Sequence, residues 1–264
     1  MTEISQETRK FSLEKQDNIA VLTIKTSEKI NQFSIEALNE LSSILDEINK
    51  DASISILIFT GNGKAFVAGA DIKQMINMGQ FEAEEFSKLG QSVFNKVDSL
   101  KCITIAAING VAVGGGCELS LACDYRIAVE EAKLGQPEIS IGAIPGWGGC
   151  YRLPRLVGYN NARDMFLTGK LIDTQEALKI GLIDKITTQE NLLNSANELS
   201  KELLQKSPLI LKFAKEALKA GITLDKDSAD RKEQILFGLS FASEDRKEGM
   251  QAFIEKRKPE FKGI

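Results

Sequence analysis

Two glutamates in glycine-rich segments are the residues of this chain best suited to proton chemistry. Glu118 ends a Gly-Gly-Gly-Cys-Glu segment, 114–118, and Glu138 ends a Gly-Gln-Pro-Glu segment, 135–138. Both segments are mostly apolar, and an acidic side chain there is costly unless it is paired, hydrogen-bonded or used in a site. Because two carboxyl groups in different protonation states can deliver and accept protons, we interpret the pair as candidate catalytic residues.

A structural role is the alternative for each glutamate taken alone. Glu118 would be favoured by the macrodipole if a helix begins after the glycines. Glu138 follows Pro137 and would suit a solvated loop. The presence of both glutamates beside glycine-rich turns favours a site.

A further small-residue loop strengthens this interpretation. The sequence Ala-Gly-Ala-Asp at 68–71 follows an apolar strand-like segment. Backbone N–H groups in such loops can be presented to a developing oxyanion without interference from side chains. Two carboxyls and two open backbone loops are the groups needed to move protons next to a developing oxyanion.

Composition excludes several classes of function. The 264 residues suit one large domain or a core with an appendage, and a formal charge of −4 argues against a general binder of nucleic acid or membrane surfaces. The chain has no histidine, which excludes Ser-His-Asp and Cys-His catalysis and HExxH zinc sites. The four cysteines (Cys102, Cys117, Cys123 and Cys150) form no CxxC pair, so we predict reduced, buried thiols and no metal site.

Targeting signals are also missing from the sequence. No apolar run reaches the ~18 residues that a membrane span needs. The first seven residues lack the basic and apolar regions of a signal peptide and are too acidic for a typical mitochondrial presequence. We therefore expect a cytoplasmic protein without a membrane partner.

Apolar periodicity predicts an α/β core, because strand-like and helix-like segments alternate. Predicted strands cover 19–24, 54–60, 103–108 and 125–129, and predicted helices cover 35–48 after a Ser34 cap, 70–100 with a break near Gly79, and the segment after Gly114. Ligands usually bind at the carboxyl ends of such strands, where we expect the loops at 68–71 and 114–118.

Helical patterns dominate from about Gly158 onward. They cover 162–167, 174–180, 192–205, 208–220, 227–241 and 243–257, with one strand predicted at 182–186. We predict a catalytic core over residues 1–200 and a C-terminal helical region over residues 201–264 that serves as a lid or in oligomerisation.

Six segments in a fixed order resemble motifs of the crotonase (enoyl-CoA hydratase/isomerase) superfamily. They are 65–72, 105–118, 135–139, 144–149, 152–158 and 253–258, so the similarity covers nearly the whole chain. Within the superfamily the sequence is most similar to short-chain enoyl-CoA hydratases, because both glutamate positions are filled.

This resemblance implies a fold, an assembly and a reaction. The fold would be a spiral of repeated strand–strand–helix units with a C-terminal helical trimerisation region, assembled as a homotrimer or as a hexamer of two trimers. The reaction would be reversible syn hydration of a trans-2-enoyl-CoA, as in the β-oxidation of fatty acids. Coenzyme A would be part of the substrate, and no separate cofactor is implied.

The resemblance also implies roles for individual residues. Glu118 would act as base toward water and Glu138 would deliver a proton to C2. The N–H groups of Ala68 and Gly115 would form the oxyanion hole. Substrate contacts are implied for Gly69, Ala70, Asp71, Ile72 and Gly146, the last beside the water, and Lys29 is a substitute for a missing family contact to the CoA phosphates.

Two departures from the family pattern bear on the substrate. An Asn-Arg-Pro-like turn is reduced here to Asn31, with Lys29 nearby. Trp147 stands where a small residue is frequent, and it is followed by Cys150 and Tyr151 in place of Thr-Gln. The indole either restricts the room for the acyl chain or belongs to the core.

Two alternative functions remain at this point. Another crotonase-type reaction, isomerisation or hydration of a branched enoyl-CoA, would also use two glutamates. Some relatives bind RNA through lysine-rich helices, and 201–219 contains several lysines. Interspersed glutamates and the acidic composition rank RNA binding below an enzymatic role, so we predict no nucleic-acid partner.

Overall fold

The computed structural model describes residues 10–26 and 30–264. They divide into two compact units, one containing the chain up to residue 100 together with 104–197, and the other containing 101–103 and 198–264. The predicted boundary at residue 200, with its separate catalytic and oligomerisation roles, stays a prediction.

The larger unit contains two β-sheets. The strands are β1 Phe11–Gln16, β2 Ile19–Ile24, β3 Ile56–Gly61, β4 Ala65–Ala68, β5 Ile103–Ile108, β6 Val111–Val113, β7 Tyr125–Val129, β8 Lys133–Gly135, β9 Leu171–Asp173 and β10 Lys185–Thr187. One sheet has the order β1-β2-β3-β5-β7-β10 and the other the order β4-β6-β8-β9. Only the β1–β2 and β8–β9 pairs described here are antiparallel.

Successive strands alternate between the two sheets. The pairs β3–β4, β5–β6 and β7–β8 each place their first strand in the larger sheet and their second in the smaller one. Helical segments follow each pair, so the chain winds through three strand–strand–helix turns. The central strands β3 and β5 of the larger sheet are almost entirely buried and mostly apolar, as expected for parallel strands covered on both faces.

The helices follow the predicted pattern in the first half of the chain. They are α1 Ile35–Lys50, α2 Ile72–Met75, α3 Gln80–Ser99, α4 Gly115–Ala122, α5 Gly149–Val157, α6 Tyr159–Thr168, α7 Thr174–Lys179, α8 Leu192–Leu203, α9 Pro208–Thr223, α10 Lys226–Phe241 and α11 Glu244–Glu255. Ser34 caps α1 by accepting the Ala37 N–H at 3.1 Å, and α3 begins directly after Gly79, where the helix break was predicted.

The helices of the smaller unit also begin at side-chain caps. Ser207, Asp225 and Ser243 precede α9, α10 and α11 and accept backbone N–H groups in their first turns. The cap at Ser207 means that residues 201–219 are not one continuous helix. The lysines counted toward an RNA-binding helix therefore lie on two helices with a break between them.

Some short elements were not predicted. The strands β6 and β8 contain three residues each, too few for periodicity to separate them from loops, whereas β4 is the strand-like segment expected before the loop at 68–71. The predicted strand at 182–186 begins later, at Lys185, and the buried Leu182 and Ile183 lie in the preceding loop. None of the helices formed by residues 10–26 and 30–264 is long and apolar enough to cross a membrane.

Candidate active site

Three loops meet at one edge of the smaller sheet. The strands β4, β6 and β8 pair in parallel, so the segments that follow them leave the sheet on the same side. These segments are the loops at 68–71, 114–118 and 135–138 that the sequence singled out. The Gly114 N–H donates to the Gly135 carbonyl at 3.0 Å, which joins the two glutamate-bearing segments directly.

A cavity of about 400 Å³ lies at this edge. Eight of the predicted site residues line it: Ala68, Gly69, Ala70, Ile72, Gly115, Glu118, Glu138 and Gly146. The walls are mainly apolar and include Met75, Met78, Phe86, Ile141, Ile144 and Trp147. An apolar cavity with two converging carboxyls suits a hydrophobic acyl group whose reacting atoms lie beside polar groups.

Glu118 lies in the first turn of α4 and is only 1% exposed. Its Oε1 accepts the N–H groups of Trp147 and Gly149, each at 2.8 Å. Burial raises the pKa of Glu118 to about 7, although these two N–H groups act in the opposite direction by stabilising the carboxylate. The side chain can therefore change its protonation state near neutral pH.

Glu138 begins a short 3-10 helix, Glu138–Ile141, and is half-buried. The fully buried Gln136 lies beside it, and with its amide nitrogen turned toward Glu138 it donates to both carboxylate oxygens, at 3.1 and 3.2 Å. Burial raises the pKa of Glu138, which favours a neutral carboxyl that can donate a proton.

The beginning of α4 presents open backbone N–H groups. The Gly115 N–H, in the first turn, donates to no described residue, and Gly115 lines the cavity. Gly114 adopts a positive φ of 53°, and a Cβ built there would lie 2.9 Å from Glu138 Oε1. Glycine at 114 therefore allows the carboxyl of Glu138 to approach the backbone closely.

The structure corrects the prediction that the N–H of Ala68 is the second oxyanion donor. Its N–H already donates to the Asn31 carbonyl at 2.7 Å, in a parallel ladder that continues between Phe33 and Ala70. In that ladder Phe33 bonds to Gly69 and Asp71, so the N–H of the intervening Ala70 points to the opposite side. Ala70 donates to no described backbone group, and its open N–H replaces that of Ala68 as the candidate.

Trp147 belongs to an aromatic cluster that also forms one wall of the cavity. Its ring makes edge-on contacts with Phe33, Phe86 and Phe94, with centroids 6.2, 5.2 and 5.7 Å apart. The side chain is only 4% exposed. The indole therefore packs in the core and bounds the cavity, and its effect on the room for an acyl chain stays a prediction.

Among the remaining predicted substrate contacts, Gly146 lines the cavity and Asp71 does not. The Asp71 carboxylate caps α2 by accepting the Lys73 N–H at 3.0 Å, and Asp71 is not a wall of the cavity. The Gly146 carbonyl accepts hydrogen bonds from Ser87 and Gln91. Lys29 lies outside the described residues.

Two other sequence features have structural explanations. Asn31 is fully buried and its amide donates to three backbone carbonyls, so it braces the turn before β4 rather than facing the cavity. Burial raises the pKa of the neighbouring Cys117 to about 12, which makes this thiol inert. Cys102 and Cys123 are buried as predicted, whereas Cys150 is exposed.

Three functional contacts escaped sequence reasoning. Trp147 and Gly149 hold Glu118 through backbone N–H groups, which leave no signature in residue type. Gln136 belongs to the Gly-Gln-Pro-Glu segment, but no function was predicted for its side chain. Its signal was a polar side chain in an otherwise apolar segment next to an acid. Among the described residues, no group of three or more histidine, cysteine or acidic side chains is arranged to hold a metal ion.

Comparison with known proteins agrees with the resemblance to the enoyl-CoA hydratase/isomerase family. A family model described as enoyl-CoA hydratase/isomerase matches residues 14–264. A crotonyl-CoA hydratase of Syntrophomonas wolfei is 44% identical, over 94% of this chain and 96% of that protein. A short-chain-enoyl-CoA hydratase of Clostridium acetobutylicum is 42% identical, over 94% of this chain and 95% of that protein.

Solved structures show the same fold. An enoyl-CoA hydratase from Bacillus anthracis superposes with a TM-score of 0.91 at 38% identity, covering 96% of this chain and 99% of that one. An enoyl-CoA hydratase from Geobacillus kaustophilus gives a TM-score of 0.92 at 35% identity, covering 96% and 97%. The crotonase-like fold is thereby confirmed. Matched along nearly its whole length, the chain belongs to the enoyl-CoA hydratase/isomerase family.

Proposed function

We propose that this protein catalyses the reversible syn addition of water to the C2–C3 double bond of short trans-2-enoyl-CoA thioesters. The observation that carries the proposal is the convergence of Glu118 and Glu138 on one apolar cavity, beside two open backbone N–H groups. The names of two relatives, a crotonyl-CoA hydratase and a short-chain-enoyl-CoA hydratase, support this reaction.

Glu118 is assigned as the base toward water. The two N–H groups on its Oε1 stabilise the carboxylate and hold it in one orientation. The carboxylate takes a proton from water as the water oxygen forms a bond to C3. The electrons of the double bond move toward the thioester carbonyl, giving an enolate.

Glu138 is assigned as the acid that completes the addition. Its neutral carboxyl transfers a proton to C2 as the enolate reverts to a thioester, which leaves Glu138 ionised and Glu118 protonated. Proton exchange with solvent restores the starting pair. Since one carboxyl must be ionised while the other is neutral, the pair functions in its singly protonated state.

The enolate oxygen is assigned to the N–H groups of Gly115 and Ala70. The N-terminus of α4 adds its positive dipole end at the same position. A preorganised donor of this kind typically contributes ~10²–10³ in rate, because it stabilises charge that develops only during the reaction. The apolar walls exclude bulk water from the enolate and receive the acyl chain.

Assembly and location extend the proposal. Large apolar side chains remain exposed on the helices of the smaller unit, including Leu218 at 74% and Phe237 at 65%. Patches of this kind favour association, so we propose a homotrimer or a hexamer of two trimers. We also propose a cytoplasmic role in fatty acid metabolism.

The direct test is an assay of the purified protein with crotonyl-CoA. Hydration removes the conjugated double bond, so enoyl absorbance should fall and 3-hydroxybutanoyl-CoA should form with incorporation of one solvent oxygen. Double-bond isomerisation without oxygen incorporation would overturn the assignment and favour the isomerase alternative. Exposed Glu85 provides a matched control, since Glu85→Gln makes the same chemical change at a side chain that is not a wall of the cavity.

A further inference from the structure

Trp147 fills the space between two helices at the cavity wall. A Cβ built on Gly90 of α3 would lie 2.1 Å from Cδ1 of the indole, and one built on Gly115 of α4 would lie 2.3 Å from its Cζ3. Both distances are shorter than any real carbon contact, so the indole occupies the room that two side chains would otherwise take. The fit depends on glycine at both positions.

The indole is also held in place on its remaining sides. Phe33, Phe86 and Phe94 contact it edge-on, an arrangement that favours a fixed ring orientation. Its backbone is fixed as well, because its N–H donates to Glu118 and its carbonyl accepts from Arg152 at 3.3 Å. A ring restrained in this way cannot move aside for a longer ligand without breaking core contacts.

The position of the ring places it next to the reacting atoms. Gly115, whose N–H is assigned to the thioester oxygen, lies against the six-membered ring of the indole. Glu118 is held by the backbone of the same tryptophan. Carbons beyond the double bond must therefore pass the indole soon after the reacting centre.

We infer that Trp147 sets the upper limit of acyl-chain length, so that the protein takes enoyl-CoA substrates of about four to six carbons and discriminates against longer ones. This inference rests on the proposed function. The physical reason is that added methylenes meet a fixed wall in place of an open apolar channel. A methylene that enters an apolar cavity gains favourable transfer free energy, and one that collides with the wall gains nothing and causes strain.

The test compares Trp147→Ala and Trp147→Phe with the wild type across crotonyl-, hexenoyl-, octenoyl- and decenoyl-CoA. The measured quantity is the ratio of kcat/KM for octenoyl-CoA to that for crotonyl-CoA. We expect Trp147→Ala to raise this ratio at least ~10-fold, with Trp147→Phe intermediate. Since the Trp147 N–H to Glu118 comes from the backbone, both variants keep that donor.

Phe94→Leu is the matched control. Phe94 contacts the indole at 5.7 Å and is fully buried, yet it is not a wall of the cavity. The Phe94→Leu substitution therefore weakens the same aromatic cluster without opening the cavity. Its ratio of kcat/KM for octenoyl-CoA to that for crotonyl-CoA should stay within about twofold of the wild-type value. An unchanged ratio in the Trp147 variants, or an equal change in Phe94→Leu, would overturn the inference.

A binding measurement separates this inference from the proposed reaction. Butanoyl- and octanoyl-CoA lack the double bond, so their dissociation constants report acyl room without turnover. Trp147→Ala should lower the dissociation constant of octanoyl-CoA relative to that of butanoyl-CoA by ~10-fold. This result is expected even if the wild type does not hydrate crotonyl-CoA. If Trp147→Ala does not fold, Trp147→Phe decides the question by the same ratio.

Discussion

The carboxylate of Glu118 accepts the backbone N–H of Trp147 at 2.8 Å. One residue thereby contributes to two properties of the site, since its main chain orients the base and its side chain bounds the cavity. Because the donor is a backbone group, the two contributions can be separated by substitution. Changes of the indole alter the room for substrate and leave the hydrogen bond to the base in place.

Replacing either glutamate by glutamine should abolish most of the activity without unfolding the protein. Glutamine has nearly the same shape but cannot take or give the required proton, so kcat with crotonyl-CoA should fall by at least ~10²–10⁴ for Glu118→Gln and for Glu138→Gln. Steady-state kinetics with purified variants provide the measurement, and Glu85→Gln should keep wild-type kcat. Hydration at near wild-type rates by either site variant would refute the two-carboxylate mechanism.

Stability should fall as the pH rises from 5 to 7.5, because the folded protein holds the proton on Glu118 more tightly than the unfolded chain does. Burial raises the pKa of Glu118 to about 7 from an unfolded value near 4.5, so the folded state binds more protons across this window. Glu118 contributes up to about 3 kcal/mol to the free energy of unfolding. This contribution is complete below the unfolded pKa and is lost as the pH rises through 7.

The chain has no histidine to titrate in this pH range, and the comparison with Glu118→Gln separates Glu118 from Glu138, whose pKa burial also raises. Acids with lowered pKa values, such as Glu36 and Asp51 at about 2, affect stability only at lower pH. Melting temperatures at pH 5 and 7.5, followed by the fluorescence of the single tryptophan, should differ less in Glu118→Gln than in the wild type. Equal slopes for both proteins would show that Glu118 does not titrate in this range.

The helical elements were predictable because they are long and their apolar residues recur regularly. Helix α1 and its Ser34 cap followed from Ile35, Leu38, Leu41 and their successors alone. The strands β6 and β8, which carry two of the site loops, were not predictable because they have only three residues each. Sequence therefore located the site loops by their glycines and acids, and the strands that bring them together emerged only from the sheet pairing.

The oxyanion donors show where motif position reaches its limit. Gly115 follows from the helix that begins after Gly114. The choice between Ala68 and Ala70 depends on which N–H is consumed by the ladder to Asn31 and Phe33. That ladder joins residues far apart along the chain, so no local pattern could have excluded Ala68.

A homotrimer or hexamer should form in solution at micromolar concentration. The exposed apolar side chains of the smaller unit, Leu218 and Phe237 among them, are costly to leave in water and gain stability when covered by another subunit. Light scattering coupled to size-exclusion chromatography should give a mass of three or six chains of 29.0 kDa. A monodisperse monomer would contradict the prediction.

The oxyanion hole can be tested by comparing Gly115→Ala with Gly115→Pro, because only proline lacks the backbone N–H. A Cβ at this position would lie 2.3 Å from Cζ3 of Trp147, so both substitutions press on the indole, and proline also places its Cδ where the N–H was. Only proline removes the N–H, and the first position of a helix tolerates proline because that N–H has no partner within the helix.

We expect Gly115→Pro to lose a further ~10²–10³ in kcat beyond Gly115→Ala, the typical effect of deleting one oxyanion donor. Circular dichroism and the oligomeric mass should match between the two variants. Gly110→Ala provides the contrast, since a Cβ there would lie 2.1 Å from the Lys64 carbonyl oxygen and should impair folding rather than turnover. If folded Gly115→Pro and Gly115→Ala have equal kcat, the enolate oxygen does not bind at the start of α4, because removing the donor would then have left the transition state unchanged.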